Sequence, residues 1–461
     1  MSRPSYAWAG CLVYCVIVNP VRLTHSAFSI NNQNSLQLTI EKLVYGGDGL
    51  ARLPADANGR GKAAFLPFVL PEEEVEAKLI EEKPGFARGS TEKILRASPK
   101  RVDPSCPYFQ TCGGCHYQHT SYEHQLEIKS AILEENLRRI AKLELESELV
   151  VHPSPPWNYR NRTRLKIRTQ PEFAVGYYKY NSHEFLPIEQ CPISSPLINH
   201  AIHVLRQLGS KIADVDEIEL FANADDSQLL SEFYCPPNIS EAAGRKMAKE
   251  LHQSLPQSIG VVGFRRTVAP VEPKVTAAVG ATDLRYKTDQ AVYRVSAGAF
   301  FQVNRHLISE LAKAVTAESA GQTALDLYAG AGLFTVPLAQ SFAQVIAVES
   351  SQTSQSDLAY NSPANVRTVR ATVEQYLKSA PAKLSPDLVV LDPPRSGLGE
   401  SVVRGLAALR SPRITYVSCD PATLARDLGG LLKAGYRVEQ AHMFDLFPQT
   451  FHLETVLHLA R

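Results

Sequence analysis

The 461-residue sequence lacks a strong net charge, and it lacks a hydrophobic run long enough to cross a membrane. Its 48 lysine and arginine residues are balanced by 47 acidic residues, so any contact with a nucleic acid must depend on local basic patches. The apolar run at residues 7–18 is shorter than the roughly 20 residues that a spanning helix needs. These absences argue against a membrane protein and predict a location in the cytoplasm.

A recognisable export signal is also lacking, because only Arg3 precedes that apolar run and no convincing cleavage site follows it. We interpret residues 1–34 as a disordered or mis-called N-terminal extension. The chain nevertheless contains eight cysteines, and cysteines of a reducing compartment rarely form disulfides. Metal binding, catalysis and burial as plain thiols are therefore the roles to consider.

The remaining sequence falls into three parts, which predict three domains. Short alternating runs broken by glycine predict a small β-barrel over residues 35–97. Residues 98–290 combine a cysteine-rich segment, an amphipathic helix and mixed α and β patterns. Over residues 291–461, strands alternate with helices, which is typical of a doubly wound α/β sheet that binds ligands at the carboxyl ends of its strands.

Two glycines and an acid predict a nucleoside site in the last part. Gly330 and Gly332 follow its first strand and allow a ligand to approach the backbone, and Glu349 ends the second strand, where an acid can hold ribose hydroxyls. Thr335 replaces the third glycine of a dinucleotide fingerprint, which disfavours a pyrophosphate. The pattern favours a cofactor without phosphates, such as S-adenosylmethionine, over a purely structural turn.

Cys419 stands between a predicted strand and a predicted helix, in the stretch ITYVSCDPATLARDL. Asp420 is a good N-cap residue and Pro421 a good first helical residue, so the thiol is expected beside a helix N-terminus that favours thiolate. At the ligand edge of such a sheet we prefer a nucleophile to an inert buried cysteine.

A nucleophilic thiol beside a methyl donor indicates a carbon that must be activated, such as C5 of a pyrimidine. Addition of a thiolate at C6 makes C5 nucleophilic, and a base must later remove the C5 proton. Glu454 begins an apolar terminal strand and is a candidate for that base, although a solvated strand-end acid fits the composition equally well. His452 is expected to be structural.

Three further thiols fall within ten residues, followed at a distance by two candidates for a fourth metal ligand. Cys106, Cys112 and Cys115 surround two adjacent glycines, a spacing that is typical of a metal site. Cys191 and Cys235, each followed by proline, are the candidates for the fourth position. The spacing does not distinguish an iron–sulfur cluster from zinc.

Five cations recur at every second position after Trp157: Arg160, Arg162, Arg164, Lys166 and Arg168. On a strand they would share one face, and without an interleaved acid they would repel one another. We therefore predict an RNA-binding face rather than a solvated surface strand, with Trp157 and Tyr159 able to stack on a base. Basic residues of the barrel, such as Arg88, Lys93 and Arg96, add a weaker signal of the same kind.

Four motifs in one order resemble the S-adenosylmethionine-dependent RNA (uracil-C5) methyltransferases: DLYAGAGLFT, LDPPRSG, YVSCDPATLARDL and FPQTFHLETV. The segment FFQVN at residues 300–304 also looks like the motif that opens the family's catalytic domain. The resemblance implies a Rossmann-type class I methyltransferase domain, with Cys419 as the nucleophile and Glu454 as the base. It further implies that four side chains surround the cofactor: Gln302, Tyr328, Glu349 and Asp392. Leu333 departs from the pattern, since the family often has a small polar residue there.

Within that family, the resemblance is to the 23S ribosomal RNA subgroup, which begins with a TRAM barrel and carries a four-iron, four-sulfur cluster. It implies a TRAM-like barrel over residues 35–97, an iron–sulfur cluster in the central mixed α+β domain, and Cys191 as the fourth ligand through the segment EQCPISSP. The expected substrate is a uridine of 23S ribosomal RNA rather than transfer RNA. We expect a monomer, because no long apolar seam is left unassigned.

Several other functions remain open from the sequence. Cytosine-C5 methylation of RNA would use the same thiolate chemistry. An amino-group methyltransferase is disfavoured, because the DPPR motif lacks an aromatic residue that would stack on adenine. A non-catalytic RNA-binding protein that kept the fold and a zinc-containing RNA-binding module are the alternatives from other classes.

Overall fold

The computed structural model describes residues 35–55, 59, 61–266, 274–317, 319–381 and 383–461, and the prediction for residues 1–34 lies outside them. The described strands form a closed barrel and three further sheets of seven, two and eight strands. In this part of the chain, no helix is long and apolar enough to cross a membrane.

The first unit is a five-stranded barrel. Its strands are β1 (Leu36–Leu43), β2 (Asp48–Arg52), β3 (Ala63–Pro67), β4 (Glu74–Glu82) and β5 (Phe86–Arg96). They close in the order β1-β2-β3-β5-β4. Alternate side chains, such as Leu38, Ile40 and Val75, point inward and form a small apolar core. The predicted β-barrel is therefore confirmed.

After the barrel, the chain forms α1 (Tyr122–Asn136), a π-helical turn (Leu137–Ala141) and the short strand β6 (Val150–His152). The central sheet then uses β7 (Arg162–Arg168), β8 (Ala174–Tyr178), β9 (Phe185–Pro187), β10 (Glu217–Ala222), β11 (Leu229–Cys235), β12 (Ser258–Arg265) and β13 (Lys274–Gly280). Their order is β13-β12-β11-β10-β7-β8-β9. The helices α2 (Pro196–Leu208) and α3 (Glu241–Ser254) share a core with this sheet, and a 3₁₀ turn (Gly209–Ile212) follows α2.

The last unit begins with a hairpin of β14 (Asp283–Lys287) and β15 (Val292–Ser296). Its sheet contains β16 (Gly321–Leu327), β17 (Phe342–Glu349), β18 (Val366–Arg370), β19 (Leu388–Leu391), β20 (Arg413–Ser418), β21 (Arg437–Phe444) and β22 (Glu454–Ala460). Its helices are α4 (Ile308–Thr316), α5 (Thr335–Ser341), α6 (Gln352–Asn361), α7 (Val373–Ser379), α8 (Gly399–Leu409) and α9 (Pro421–Lys433).

This eight-stranded sheet has the order β18-β17-β16-β19-β20-β22-β21-β6. The strands from β18 to β20 are parallel, and β22 lies antiparallel between β20 and β21. β6 pairs with β21, and α1 shares the core of this sheet. Residues 122–152, which the sequence pattern assigns to the central domain, therefore also build the last one.

The barrel packs tightly against the rest of the chain. Leu43 and Leu70 of the barrel are buried in the same core as α1 and α9. Lys42 forms an ion pair with Glu135 of α1. These contacts bring the turn between β1 and β2 to the edge of the last sheet.

Candidate active site

Cys419 follows β20 and directly precedes α9. The Oδ1 atom of Asp420 accepts hydrogen bonds from the backbone N–H groups of Ala422 and Thr423, at 3.0 and 2.9 Å, and so caps the helix. The half-buried thiol thus lies beside a helix N-terminus, where the dipole favours a thiolate. This is the local geometry that the sequence predicts.

Glu454 is the first residue of β22, beside Cys419. β20 and β22 are antiparallel with Ser418 opposite Thr455, so the next step of the register brings Cys419 and Glu454 to adjacent strand ends. Glu454 is 3% exposed. Burial raises the pKa of Glu454 well above its usual range; Cys419 and Asp392 add to the rise and Arg395 opposes it. A buried carboxyl with a raised pKa is a good proton acceptor once it is ionised.

His452 and Arg395 line the same strand ends. The Nη2 atom of Arg395 lies 3.4 Å from both ring nitrogens of His452. Burial, and then the charge of Arg395, lowers the pKa of His452 well below its usual value, so the ring is neutral. A neutral imidazole held beside a guanidinium fits the structural role expected for it.

The glycine loop and Glu349 lie together at this edge of the sheet. The Oε2 atom of Glu349 accepts a hydrogen bond from the backbone N–H of Gly330 at 2.9 Å, and Oε1 accepts one from Ser351 at 2.7 Å. Gly330 has φ +56°, and a Cβ there would meet no atom within 4 Å. Tyr328 also has a left-handed backbone, with φ +64°. The loop therefore leaves open space next to a fixed carboxylate.

Two further acids lie beside Glu349. Burial raises the pKa of Asp392 to about 7, and repulsion from Asp326 and Glu349 adds to it. Burial also raises the pKa of Asp326 to about 7; a hydrogen bond from Thr335 opposes the rise, and Glu349 adds to it. Three carboxyls at adjacent strand ends favour a ligand that carries positive charge.

Gln302 and Leu333 are both buried. Gln302 is 7% exposed, and its carbonyl accepts a hydrogen bond from the Asn161 side chain at 3.4 Å. Leu333 is also 7% exposed and packs in the apolar core, while its carbonyl accepts a hydrogen bond from the hydroxyl of Tyr293 at 3.0 Å. The departure at Leu333 therefore adds to the core.

Four of the cysteines line one cavity of about 140 Å³: Cys106, Cys112, Cys115 and Cys191. Cys235 lies elsewhere, in the core of the central sheet, where its thiol donates to the Phe264 carbonyl at 3.3 Å. Burial raises the pKa of the Cys115 thiol well above its usual value, and Cys191 and Cys112 add to the rise. The four thiols share this cavity, but among the described residues no group of three or more His, Cys, Asp or Glu side chains, these four included, has the geometry of a formed metal site.

The spacing predicts a ribbon of five unpaired cations, but in the structure three of the five pair with acids of other strands. Their role in RNA binding stays a prediction. β10 lies antiparallel to β7 and sets its acids opposite these cations. Arg162 pairs with Glu219 and Glu232, Arg164 with Glu217 and Glu219, and Lys166 with Glu217. The acids that pair with these cations come from two other strands, β10 and β11, which the spacing within β7 cannot reveal.

The two end members of the series differ from those three. Arg160 lies before β7 and lines the cysteine cavity. Arg168 lies 4.6 Å from the ring of Phe185 and forms no ion pair within the described part of the chain. Tyr159 is fully buried, with its hydroxyl donating to the Pro448 carbonyl at 3.1 Å, so it cannot stack on a base.

Comparison with known proteins identifies the family. The family model described as tRNA (Uracil-5-)-methyltransferase matches residues 121–461, and the TRAM domain model matches residues 35–91. The chain belongs to the tRNA (Uracil-5-)-methyltransferase family. Its first unit is a TRAM domain, as expected from the sequence.

Relatives of this family member match it over nearly their whole length. It is 34% identical over 427 residues to an uncharacterized RNA methyltransferase of Aquifex aeolicus (strain VF5), covering 91% of this chain and 97% of the relative. It is 33% identical over 428 residues to the 23S rRNA (uracil(1939)-C(5))-methyltransferase RlmD of Enterobacter sp. (strain 638), covering 89% and 93%.

A solved structure shows the same fold. The tRNA (uracil-54, C5)-methyltransferase of Pyrococcus abyssi, in complex with S-adenosyl-L-homocysteine, matches with a TM-score of 0.71 at 24% identity. The match covers 92% of this chain and 100% of that one. The last unit of this uracil-5-methyltransferase family member therefore has the class I methyltransferase fold.

The sequence motifs give no indication of which residues hold the segment before Glu454, residues 445–453, which we call the 445–453 loop. The backbone N–H groups of His116 and Tyr117 donate to the Gln449 carbonyl at 2.8 and 3.0 Å. Lys129 of α1 pairs with Asp445 at 2.6 Å, and both side chains are fully buried. The cysteine segment and α1 thus fix the 445–453 loop. The sequence signal for this buried ion pair is Lys129, a lysine on the apolar side of a predicted amphipathic helix.

Proposed function

We propose that this family member methylates C5 of a uridine in 23S ribosomal RNA, with S-adenosylmethionine as the methyl donor. The observation that carries the proposal is the juxtaposition of Cys419 and Glu454 at adjacent strand ends, beside the acidic surface of Glu349 and Asp392. A thiol and a buried carboxyl are the two groups that this reaction requires. Family membership supports uracil as the base.

The carboxyls at these strand ends suit S-adenosylmethionine by their charge, and the glycine loop leaves open space beside them. The ligand carries a sulfonium and an ammonium group, which the carboxyls favour, and a ribose whose hydroxyls can donate to Glu349. We assign its site to the residues named from the sequence: Gln302, Tyr328, Gly330, Gly332, Glu349 and Asp392. When bound, it supplies an electrophilic methyl group.

The reaction at the base follows from the two catalytic residues. The Cys419 thiolate forms a bond to C6, and the electron pair of the C5–C6 double bond makes C5 nucleophilic. After C5 has gained the methyl group, Glu454 accepts the C5 proton. The electrons of the C5–H bond restore the double bond as the C6–sulfur bond breaks, which regenerates the thiolate.

The charge of Cys419 affects the pKa of Glu454 in a way that suits this order of steps. Glu454 must be ionised when it takes the C5 proton, whereas the neighbouring thiolate favours its protonated form. Addition to C6 converts the thiolate into a neutral thioether. One cause of the raised pKa of Glu454 is therefore removed as the reaction begins.

The choice of ribosomal RNA rests on the relative from Enterobacter, whose name states a 23S substrate and which matches along most of both chains. Transfer RNA is the second candidate, because the Pyrococcus enzyme with the same fold is named for that substrate. Methylation assays on both RNA classes, with uridine-to-cytidine variants of the target, decide between them.

We also propose that Cys106, Cys112, Cys115 and Cys191 hold a four-iron, four-sulfur cluster. Support comes from the cavity that the four thiols share and from the mutual repulsion that their thiolates would suffer without a cationic partner. Iron and sulfide analysis of anaerobically prepared protein tests this. Cys191→Ser should abolish both the iron and the sulfide content. Cys235→Ser, the matched control outside the cavity, should leave both unchanged. Zinc in place of iron and sulfide would overturn the proposal.

The reaction itself is tested by covalent trapping. The protein is incubated with S-adenosylmethionine and RNA fragments that contain 5-fluorouridine, and the products are separated on a denaturing gel. Fluorine at C5 cannot leave as a proton, so the methylated adduct should remain bound to Cys419. A shifted band that disappears in Cys419→Ala supports the mechanism. If protein that binds the cofactor gives no band, uracil-C5 chemistry is excluded; if it also fails to bind the cofactor, the non-catalytic alternative is favoured.

A further inference from the structure

The TRAM barrel reaches the proposed nucleophile directly. Tyr45 lies in the turn between β1 and β2, and its hydroxyl donates a hydrogen bond to the backbone carbonyl of Cys419 at 2.9 Å. The two residues are 374 positions apart in the chain. The barrel is therefore part of the wall of the candidate active site.

The ring of Tyr45 also contacts the 445–453 loop. It packs edge-on against Phe451, with ring centroids 5.3 Å apart and planes at 87°. Phe451 in turn packs on His452, at 4.0 Å between ring centroids. One side chain of the barrel thus contacts the backbone of Cys419 and the loop that leads into Glu454.

The turn that carries Tyr45 has little freedom to move. Gly47 has φ +94°, and a Cβ there would lie 3.1 Å from the ring of His116, which itself packs on Phe451. Leu43 on one side of the turn is 4% exposed, and Asp48 on the other accepts a hydrogen bond from the Tyr180 hydroxyl at 3.4 Å. The position of the hydroxyl is therefore set by the docking of the barrel.

The charges around Tyr45 keep its hydroxyl protonated. Burial raises the pKa of Tyr45 far above its usual value; Asp420, Cys419 and Glu454 add to the rise, and Arg395 opposes it. A hydroxyl that stays protonated remains a donor to the Cys419 carbonyl throughout the working pH range.

We propose that Tyr45 is a positioning residue, whose hydroxyl fixes the backbone of Cys419 so that the thiolate is aimed at C6 of the base. The inference rests on the proposed function. Its consequence is that the TRAM barrel contributes to the chemical step. The carbonyl of Cys419 lies between a strand end and a helix start, where a change of peptide orientation would redirect the side chain.

The test compares Tyr45→Phe with Tyr436→Phe. The hydroxyl of Tyr436 also donates to a backbone carbonyl at 2.9 Å, that of Ser411, just before the opposite end of the same strand β20. Each variant thus loses one hydroxyl that holds one end of the strand. The measurements are the rate of adduct formation with 5-fluorouridine RNA at saturating RNA and cofactor, the RNA dissociation constant and the melting temperature.

Tyr45→Phe should slow adduct formation about tenfold, at the upper end of the effect of one hydrogen bond, and leave the RNA dissociation constant unchanged. Tyr436→Phe should lower the melting temperature and leave the rate unchanged. An unchanged rate in Tyr45→Phe overturns the inference, as does equal slowing in both variants or a defect confined to RNA binding. If the wild-type protein forms no adduct, the proposed function has failed, and that outcome is distinct.

Discussion

β20 and β7 both carry residues that the sequence marks as functional, but the two strands use them differently. Cys419 lies just beyond the end of β20, where the chain turns into a capped helix and a ligand can reach the thiol. The cations of β7 lie along the face of the strand, where the acids of β10 pair with them. A side chain at a strand end remains free to react with a ligand. A charged side chain along a strand face instead pairs with a charge on the neighbouring strand.

The buried pairs of β7 have their own role in building the candidate site. Arg162 donates to the carbonyl of Ala299, and Glu232 accepts from the backbone N–H of Gly298 at 2.9 Å. Residues 298 and 299 lead directly into the segment that carries Gln302. The buried pairs thus help to position the segment that carries Gln302.

The largest expected effect concerns a residue at a strand end, Glu454. Glu454→Gln should lower turnover about 10⁴-fold, near the upper limit for loss of a general base, because the C5 proton then has no acceptor. The covalent intermediate should accumulate on ordinary uridine RNA, without fluorine, and be visible on a denaturing gel. Asp420→Asn serves as a nearby control that keeps the helix cap. Turnover near the wild-type level in Glu454→Gln would remove this residue from the mechanism.

The structural role of the cations along the face of β7 is tested at Arg162. Arg162→Met should lower the free energy of unfolding by about 3 kcal/mol, because Glu219 and Glu232 would be left buried with less compensation. Chemical denaturation measures the loss, and RNA binding of the protein that remains folded should be unchanged. A variant with normal stability and weakened RNA binding would support the prediction that the cations of β7 form an RNA-binding face.

These two strands also explain which features could be predicted from the sequence. The barrel, the α/β sheet and the positions of Cys419, Glu349 and Asp392 follow from local signals: strand ends, glycines and a helix cap. The partners of β7, the insertion of β6 beside β21 and the reach of Tyr45 to Cys419 are contacts between distant segments. Nothing in one stretch of sequence states which distant stretch will lie beside it.

A smaller effect concerns the acids at the other strand ends. Asp392 has a pKa of about 7 in the folded protein, and a cationic cofactor prefers its ionised form. At pH 6 binding must first remove a proton, so cofactor affinity should be about tenfold lower at pH 6 than at pH 8. Isothermal titration calorimetry in two buffers should also detect proton release at pH 6. In Asp392→Asn the pH dependence should shrink; a wild-type affinity that is constant over this range would contradict the raised pKa.

The same carboxyl affects stability in the opposite direction. Because its pKa is raised from 3.8 to about 7 on folding, the folded state binds the proton more tightly than the unfolded state does. Asp392 therefore adds its full contribution to the stability of the folded state when the pH is below 3.8, its pKa in the unfolded chain. This contribution is lost as the pH rises through about 7, its pKa in the folded protein. Without the cofactor, Asp392→Asn should accordingly be more stable than the wild type at pH 8, a difference that thermal melting can follow.

The smallest expected effect separates the members of the basic series itself. Arg168 forms no ion pair among the described residues and its Nε atom has no hydrogen-bond partner, whereas Lys166 two positions away pairs with Glu217. If any cation of β7 meets a phosphate, Arg168 is better placed to do so. Arg168→Ala should weaken RNA binding about threefold and reduce the slope of log affinity against log salt by about 1, whereas Lys166→Ala should leave that slope unchanged. Equal slopes in both variants and the wild type would mean that the whole strand, its last cation included, serves the fold.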